Sequence, residues 1–352
     1  MKAGRAGWVA IPLVLAVATF LFLQFRCSAE EPVPPKEGLR VATYNIEWLS
    51  QGTSLERIAN LKSVIKRLDA DVIALQEIES RKALQQVFDS QWELGIMDDP
   101  SERQELAIAV KKPLHIETVS LLFTDSSLDD AFPDARDVLR AVVSTPQGTD
   151  LVFYVVHFKS RSGGRRQTDY RRIMASSMLA AYLRGKNEPL AIVLGDFNDT
   201  PDDTSLNILE TGNLQAKAGI ENEKGPFLIN LTEPLFADDY VSVNMHERFR
   251  GEPLRPVVKG AQRENERWRG KDYRYPQDLA MTQILFDQIL VTPRMAGMAG
   301  AGAFVYARPD AMRGKEVRAR RLSGGDVEYQ DPGTLASDHL PVYADFMIES
   351  KR

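Results

Sequence analysis

The fold class follows from one stretch, LRVATYNIEWLSQGTSLERIANLKSVIKRLDADVIALQEI, which covers residues 39–78. LRVATYNI (39–46) and DVIALQEI (71–78) are short runs rich in β-branched side chains, which predict strands. Between them, apolar residues recur every three or four positions and predict one face of a helix: Leu55, Ile58, Leu61, Val64, Ile65 and Leu68. A strand, a helix and a strand in succession indicate an α/β protein.

Further strands are predicted along the rest of the chain by short β-branched runs. They lie at 105–112, 138–145, 151–158, 190–197, 286–292 and 340–348. Several of them alternate apolar and polar residues, which favours antiparallel pairing. A second long helix is predicted from about 167 to 184. The stretch from about 212 to 283 has little periodicity and several Gly and Pro, so we expect an irregular insertion there.

The composition is that of a globular protein, with 43% hydrophobic and 26% charged residues among 352. It excludes disordered and collagen-like classes. The 44 basic and 49 acidic residues give a net charge of −5, which argues against a protein that coats nucleic acid through overall positive charge. Any site for a polyanion must therefore be local. Cys27 is the single cysteine, so no disulfide within the chain stabilises the fold.

The first 29 residues have the pattern of an export or anchor signal. Two basic residues precede an uncharged, mainly apolar run at 8–25, which is long enough to cross a bilayer at about 1.5 Å per residue. We expect a cleaved signal peptide first, a retained membrane anchor second and lipid attachment at Cys27 third. Residues 30–38 are predicted to be a linker. Both leading alternatives place the remainder outside the cytoplasm, either periplasmic or secreted, or anchored to the membrane.

Polar side chains stand at the ends of the predicted strands, where an α/β scaffold exposes functional groups. They are Asn45, Glu47, Glu77, His157, Asp196, Asn198, Asp338 and His339. Taken singly, each is also explained by a turn or a helix cap. The chain has four histidines, and two of these eight residues are histidines that stand beside carboxylates at apolar strand ends. This coincidence favours one shared site.

Oxygen ligands without thiolates and with few imidazoles suit Mg²⁺, Mn²⁺ or Ca²⁺ better than a structural zinc ion. Phosphoryl transfer uses such a set, because a divalent cation with a nearby carboxylate and imidazole neutralises phosphate and activates water. Glycoside hydrolysis needs only a pair of carboxylates and would leave both histidines without a role. The residues therefore predict a metal-dependent phosphoric ester hydrolase.

Six ordered blocks of the sequence resemble the endonuclease/exonuclease/phosphatase superfamily. They are TYNIEWL, ALQEIE, VVHFKSR, LGDFNDTP, FDQILVT and SDHLPV, within about 39 to 348. The resemblance implies an α/β fold, a four-layered sandwich in which two mixed β-sheets pack face to face with helices on the outer faces. It also implies one catalytic domain at 39–352, with the insertion at 212–283.

The resemblance implies a metal region built from four of these residues. Glu77 would be the principal metal ligand, and Asn45 and Glu47 would lie close to the metal. Asn45 would also lie close to the phosphate of the substrate. Asp338 would complete the region. Glu47 stands where several members of the superfamily carry Asp, so its role follows less directly from the motif.

Four further residues would carry the chemistry. Asp196 is similar to the carboxylate that orients or deprotonates the attacking water, and Asn198 is similar to the amide that holds the phosphate or that water. His339 would donate a hydrogen bond to the charge that develops on the scissile phosphate. Asp287, in FDQILVT, would hold His339 in the required tautomer.

His157 resembles the second phosphate-contacting imidazole of the deoxyribonuclease-like members. Its carboxylate partner stays open, and Glu105 and Glu102, ahead of LAIAV (106–110), are the two candidates. Abasic-site enzymes usually have no histidine in that block, so His157 points away from them.

Two basic stretches are relevant to the identity of the substrate. Lys159 and Arg161 follow His157 and are predicted to bind substrate phosphate. Residues 248–274 alternate cations with aromatic rings, a pattern of contact with single-stranded nucleic acid, although a solvated loop also explains it. We expect an exported phosphodiesterase that uses Mg²⁺, or Mn²⁺ or Ca²⁺, and cleaves DNA or RNA. No protein partner is implied.

Two alternatives remain open. One is a phosphatase or phospholipase C-like hydrolase of lipid or inositol phosphates near the membrane, which is favoured if residues 8–25 are retained as an anchor. The other is a phosphate-binding module that has kept the fold and lost the chemistry. The second alternative is disfavoured because every expected catalytic residue type is present.

Overall fold

A computed structural model describes thirteen segments of the chain. They are residues 33–100, 104–133, 136–161, 165–214, 225–238, 240–243, 246–249, 252–256, 284–306, 308–314, 320–321, 327–328 and 333–348. The predicted signal or anchor at 1–29, the candidate Glu102 and most of the basic stretch at 248–274 lie outside these residues. Within the described segments, no helix is both long enough and apolar enough to span a membrane.

Two mixed sheets of six strands each form the centre of the molecule. The first contains β1 (Leu39–Leu49), β2 (Val72–Ile78), β3 (Trp92–Ile96), β4 (Glu105–Lys111), β13 (Ala299–Val305) and β16 (Val342–Phe346). The second contains β5 (His115–Leu122), β6 (Val138–Ser144), β7 (Asp150–His157), β8 (Ala191–Asp196), β9 (Ile229–Asn230) and β12 (Asp287–Val291). Their strand orders are β13-β16-β1-β2-β4-β3 and β5-β6-β7-β8-β12-β9. Each sheet has one parallel pair, β1 with β2 and β7 with β8.

Two short antiparallel pairs lie outside these sheets: β10 (His246–Phe249) with β11 (Glu252–Pro256), and β14 (Arg320–Arg321) with β15 (Val327–Glu328). The helices are α1 (Leu55–Leu68), α2 (Arg81–Leu84), α3 (Arg165–Lys186), α4 (Thr204–Thr211), α5 (Glu233–Ala237) and α6 (Pro293–Ala296). The parallel pairs need crossover connections, which α1 and α3 provide.

The layers follow from the alternation of side chains along the strands. In β7, Leu151, Phe153 and Val155 belong to the core between the sheets, whereas Val152, Tyr154 and Val156 belong to a second cluster with α3 and α4. The buried face of α1 joins the core of the first sheet. Strand β1 of the first sheet contacts β8 and β12 of the second. The molecule is the predicted α/β sandwich, with two mixed sheets face to face and helices outside.

The predicted strands are all present, with ends within three residues of those expected. Strands β3, β5 and β13 were not predicted. Strand β13 has the sequence AGAGAFV, whose Gly and Ala have low strand propensity, so pairing with β16 decides its conformation. The insertion at 212–283 also contains more regular structure than expected, because β9 pairs with β12 and α5 follows it.

Gly195, in β8, is expected to tolerate no side chain. Its φ is +148°, and a Cβ built there would lie 2.0 Å from the carbonyl oxygen of Val156. Gly195→Ala should lower the free energy of unfolding by roughly 2–4 kcal/mol, because a strained backbone adds to a steric clash. Urea unfolding followed by circular dichroism measures the change.

Gly185→Ala is the matched control, since Gly185 lies in α3 and a Cβ there would meet nothing within 4 Å. It should leave stability unchanged or raise it by about 0.5–1 kcal/mol, as Ala does in helices. Equal unfolding midpoints for the two variants would contradict the steric argument.

Candidate active site

Strand register places three of the predicted residues side by side in the second sheet. Asp196 at the end of β8 is paired with His157 of β7 on one side and with Asp287 of β12 on the other. Paired residues point to the same face of a sheet, and this face is the one that packs against the first sheet. All three side chains are buried. They form the floor of a site at one end of the sandwich.

The first sheet supplies the opposite wall of this site. Asn45, in β1, donates through Nδ2 to Glu77 Oε1 at 3.2 Å and to Asp196 Oδ2 at 3.2 Å. His157 Nε2 lies 3.7 Å from Glu77 Oε1 and 3.5 Å from Asp196 Oδ2. The two sheets therefore converge at this point, and residues 151 positions apart in the chain share one polar pocket.

A break in strand geometry brings Glu77 into the pocket. Asn45 is paired in register with Gln76, so regular alternation would turn Glu77 to the opposite face. Instead Glu77 has a φ of +64°, and the pairing of β2 with β4 shifts register between Leu75 and Ile78. Bulges of this kind re-aim a side chain. Positive φ at a non-glycine residue is costly and persists where the surroundings enforce it, often at functional sites.

His339 is held by a chain of hydrogen bonds. Its Nδ1 lies 2.9 Å from Asp287 Oδ2, and Ser242 Oγ donates to the same oxygen at 2.6 Å. The backbone N–H of His339 donates to Ser337 Oγ at 3.0 Å. Burial lowers the pKa of His339, but the charge and hydrogen bond of Asp287 outweigh it and raise that pKa well above its ordinary value. Asp287 thus favours the protonated ring of His339, in which Nε2–H can face an anion.

His157 has the opposite electrostatic character. Burial lowers its pKa well below the ordinary value, and the nearby cations Arg136, His339 and Lys159 lower it further. Its Nδ1 is buried and has no hydrogen-bond partner among the residues that the structure describes. Of the two carboxylates considered as its partner, Glu105 therefore does not bond to this nitrogen, and Glu102 lies outside the described residues. The Glu105 carboxylate instead accepts from the backbone N–H of Asp99 at 2.8 Å.

The carboxylates of the pocket raise one another's pKa values. Burial and then Asp338 raise the pKa of Glu47 to about 9, and the same two causes raise the pKa of Glu77. Burial raises the pKa of Asp196 to about 7, with Asp287 contributing and His339 opposing. The backbone N–H of Asp338 donates to Glu47 Oε2 at 3.0 Å. A cation in this pocket would relieve the repulsion between these groups.

The donor set fits a hard divalent cation. It consists of the carboxylates of Glu47, Glu77 and Asp338 and the amide of Asn45, whose Oδ1 accepts from the backbone N–H of Glu47 at 3.0 Å. In the part of the chain that the structure describes, no group of three or more His, Cys, Asp or Glu side chains is placed to hold a metal ion by itself. Mg²⁺ does not need one, because it is usually held by one or two carboxylates together with waters and substrate phosphates.

Asn198 is fixed beside Asp196. Its backbone N–H donates to Asp196 Oδ1 at 2.9 Å, and its Nδ2 donates to the carbonyl oxygen of Phe158 at 3.0 Å. Its φ is +52°, the left-handed conformation that Asn adopts more readily than most residues. The turn after β8 therefore orients both the Asp196 carboxylate and the Asn198 amide.

The two predicted substrate-binding cations differ in their surroundings. Arg161 Nη2 lies 3.0 Å from Asp199 Oδ1 and 2.5 Å from Asp203 Oδ2, so its charge is balanced within the loop after β8. Lys159 is half-buried and has no ion pair with another described residue. Burial lowers the pKa of Lys159, and Arg136 lowers it further. Contact of either residue with substrate stays a prediction.

Ser242 and Ser337 were not predicted as site residues. Ser242 lies within the expected insertion, and Val243 forms an isolated bridge to His339. Ser242 belongs to none of the quoted blocks. Ser337 opens the SDHLPV block, but no role was predicted for it there, so only their contacts reveal both serines. The roles predicted for the eleven named site residues stay predictions, although the structure brings nine of them into one pocket and its rim.

The two-sheet fold, with carboxylates and histidines at one end, defines a phosphodiesterase or nuclease-like hydrolase fold. A profile of the Endonuclease/Exonuclease/phosphatase family matches residues 42–339, so the chain belongs to this family. Members of the family are hydrolases that act on phosphoester bonds. No curated protein of similar sequence was found.

Solved structures share the fold at low sequence identity. TDP2 of D. rerio, complexed with single-strand DNA product, is 16% identical, and the match covers 88% of this chain and 99% of that one with a TM-score of 0.51. Truncated Caenorhabditis elegans TDP2 is 14% identical over 88% and 98% of the chains, with a TM-score of 0.53. The human nocturnin catalytic domain with bound sulfate is 15% identical over 91% and 99%, with a TM-score of 0.51.

Asp287→Asn is expected to lower the pKa of His339, because it removes the carboxylate that holds the imidazolium. A histidine whose pKa is raised in the folded state stabilises the protein when it is protonated. The stabilisation is complete below about pH 6.5, the ordinary pKa of His, and it is lost as pH rises through the folded-state pKa. The variant should therefore lose stability mainly at low pH. Titration of the His339 ring protons by NMR, together with urea unfolding at several pH values, tests this.

Glu93→Gln is the control, because it makes the same change beside an exposed histidine, His115, whose Nδ1 lies 2.8 Å from Glu93 Oε2. It should leave the titration of His339 unchanged. An unaltered His339 titration in Asp287→Asn would show that Asp287 does not hold the proton on that ring.

Proposed function

We propose that this protein is an exported, divalent-metal-dependent phosphodiesterase that hydrolyses the phosphodiester bonds of DNA or RNA. The convergence of Asn45, Glu77, Asp196 and His339 in one pocket carries the proposal, because it combines carboxylates with an imidazolium. Membership of the family supports the reaction class. The likeness to TDP2 complexed with single-strand DNA product supports a polynucleotide substrate.

Glu77, with Asn45, Glu47 and Asp338, would hold the cation, and Mg²⁺ fits this oxygen set, as do Mn²⁺ and Ca²⁺. Such an ion, when bound, neutralises phosphate charge and lowers the pKa of water. The protein's own part is to keep these oxygen donors together despite their repulsion.

Asp196 would accept the proton of the attacking water. Its Oδ1 is fixed by the backbone N–H of Asn198, while its Oδ2 faces Asn45 and His157. A pKa of about 7 is suited to proton transfer near neutral pH. The water oxygen would then bond to phosphorus on the side that Asp196 faces, while the bond from phosphorus to the ester oxygen on the opposite side breaks and the released alcohol oxygen takes its proton from solvent.

His339 would stabilise the charge that develops on the phosphate oxygens. Its Nδ1 is occupied by Asp287, so Nε2–H is the proton available for donation. Nε2 lies 3.9 Å from Asp196 Oδ2, which places the imidazolium next to the general base without a direct hydrogen bond. Neutral His157, on the other side of Asp196, would orient that carboxylate and the phosphate.

The signal-like pattern of the amino-terminal residues supports export. Their removal also changes the net charge of the protein, which affects polynucleotide binding. Removal of residues 1–29 takes away three of the 44 basic residues and none of the 49 acidic ones, so the charge becomes 41 minus 49, or −8. Polynucleotide binding then depends on local cations such as Lys159. A retained anchor at 8–25 favours the alternative, a phosphatase or phospholipase C-like hydrolase of lipid or inositol phosphates.

Asp196→Asn and His339→Gln are expected to abolish most activity of the full chain without unfolding it. Loss of the general base should lower kcat by about 10²–10⁴-fold, and loss of the donor to the transition state by about 10²–10³-fold. His115→Gln, which removes an exposed histidine, should leave kcat unchanged. Full turnover in both site variants would refute this mechanism.

Metal dependence and substrate class are tested together on the full chain in detergent. We expect cleavage of plasmid DNA, single-stranded DNA or RNA with Mg²⁺, Mn²⁺ or Ca²⁺, and none with EDTA, because the pocket carboxylates need a cation. The products on gels distinguish endonuclease from exonuclease action. Metal-dependent turnover of sphingomyelin or inositol phosphates, with DNA and RNA left intact, would transfer the function to the alternative.

A further inference from the structure

A fully buried arginine of α1, Arg57, lies directly behind the active site. Its guanidinium donates to four backbone carbonyl oxygens. Nη2 donates to those of Ile46 at 2.5 Å, Glu47 at 2.6 Å and Ala336 at 3.1 Å, and Nε donates to that of Leu335 at 2.9 Å.

These four carbonyl groups belong to two segments that are far apart in the chain. One is the end of β1, where Glu47 and Trp48 have φ values of +44° and +52°. The other is residues 335–336, which lead directly into Asp338 and His339. A single side chain therefore joins the segment of the metal region to the segment of the phosphate-contacting histidine.

Two smaller contacts join the same segments. Ser337 Oγ donates to the carbonyl oxygen of Asn45 at 2.7 Å, and the backbone N–H of Asp338 donates to Glu47 Oε2 at 3.0 Å. Ser337 Oγ also accepts from the backbone N–H of His339. The segments thus form one hydrogen-bonded unit with Arg57 beneath it.

The position of Arg57 within α1 is unfavourable for the helix itself. It is the third residue of the helix, and Ser54 caps its backbone N–H. A positive charge in the first turn opposes the helix dipole, and a buried guanidinium is costly unless its N–H groups are satisfied. The planar fork of Arg satisfies several carbonyl groups at once, which the compact ammonium of Lys cannot do in the same geometry. A role in stabilising α1 therefore does not explain Arg57.

We propose that Arg57 is a positioning residue of the active site, which holds Glu47 and His339 at their working separation by joining the two segments. The expected effect of Arg57 on turnover rests on the proposed function, whereas its expected effect on the geometry of the site does not. The expectation is that changes to Arg57 alter cation binding and the environment of His339 together, although Arg57 contacts neither a substrate nor a cation.

Arg57→Lys keeps the charge and removes the fork, and Arg40→Lys is the matched control. Arg40 is also buried, and it donates to the carbonyl oxygens of Leu68 and Pro34 besides pairing with Asp345. It lies at the start of β1, about five residues or 16 Å from Asn45. Both variants should lower the melting temperature. Only Arg57→Lys should affect the site.

Three readouts separate the variants. Arg57→Lys should lower kcat by about 10–100-fold with little change in KM, and weaken Mn²⁺ binding, measured by electron paramagnetic resonance, by about 10-fold. It should also shift the imidazole ¹⁵N resonances of His339, which are identified by their loss in His339→Gln. Arg40→Lys should leave all three unchanged.

The outcomes distinguish the two proposals. Absence of phosphoester turnover in the wild type would refute the proposed function, and the Mn²⁺ and NMR readouts would still decide the role of Arg57. A folded Arg57→Lys with all readouts at wild-type values would overturn the inference, as would equal changes in Arg40→Lys. If Arg57→Lys does not fold, Ser337→Ala removes one hydroxyl of the same linkage, and an unshifted His339 resonance in it overturns the inference.

Discussion

The close approach of several carboxylates at one end of the sandwich is the constraint on which the rest of the site depends. Glu77 and Asp196 both accept from Asn45 Nδ2, and burial raises the pKa of each. Charged groups that are buried close together need opposite charge or hydrogen-bond donors nearby. Protonation of His339, which Asp287 favours, supplies part of this opposite charge, and the proposed cation would supply the rest. The fold keeps these groups together because a large apolar core packs the two sheets face to face.

Strain is concentrated where the strands meet this pocket. Glu47, Glu77 and Asn198 have positive φ values, and Gly195 occupies a conformation that only glycine adopts easily. Each departs from ideal strand geometry at, or directly beside, a residue whose side chain enters the pocket. The apolar layers on both faces of the second sheet stabilise the protein enough to tolerate these departures.

Local pattern accounts for most of the fold and for the identity of the polar residues. Apolar periodicity located α1, α3 and eight of the twelve strands of the two main sheets, because buried faces impose periods of 3.6 and 2 on the sequence. It missed β13, whose Gly and Ala carry no such signal, and it underestimated the regular structure near β9. Motif resemblance named His157 and His339, but it left the carboxylate partner of His157 open, and Glu105, one of the two candidates, bonds to the backbone of Asp99 instead.

By itself, the sequence determined an α/β sandwich, membership of a phosphoester hydrolase family and the set of residues with suitable chemistry. Only the tertiary structure decided which of them touch. Ser242, Ser337 and Arg57 act through contacts with backbone or with other side chains that lie far away in the chain. Such contacts leave no periodicity in the sequence. Ser337 lies in the SDHLPV block, but the block does not show which groups its hydroxyl contacts. The electrostatic difference between His157 and His339 likewise arises from burial and neighbours, which exist only after the sheets have packed.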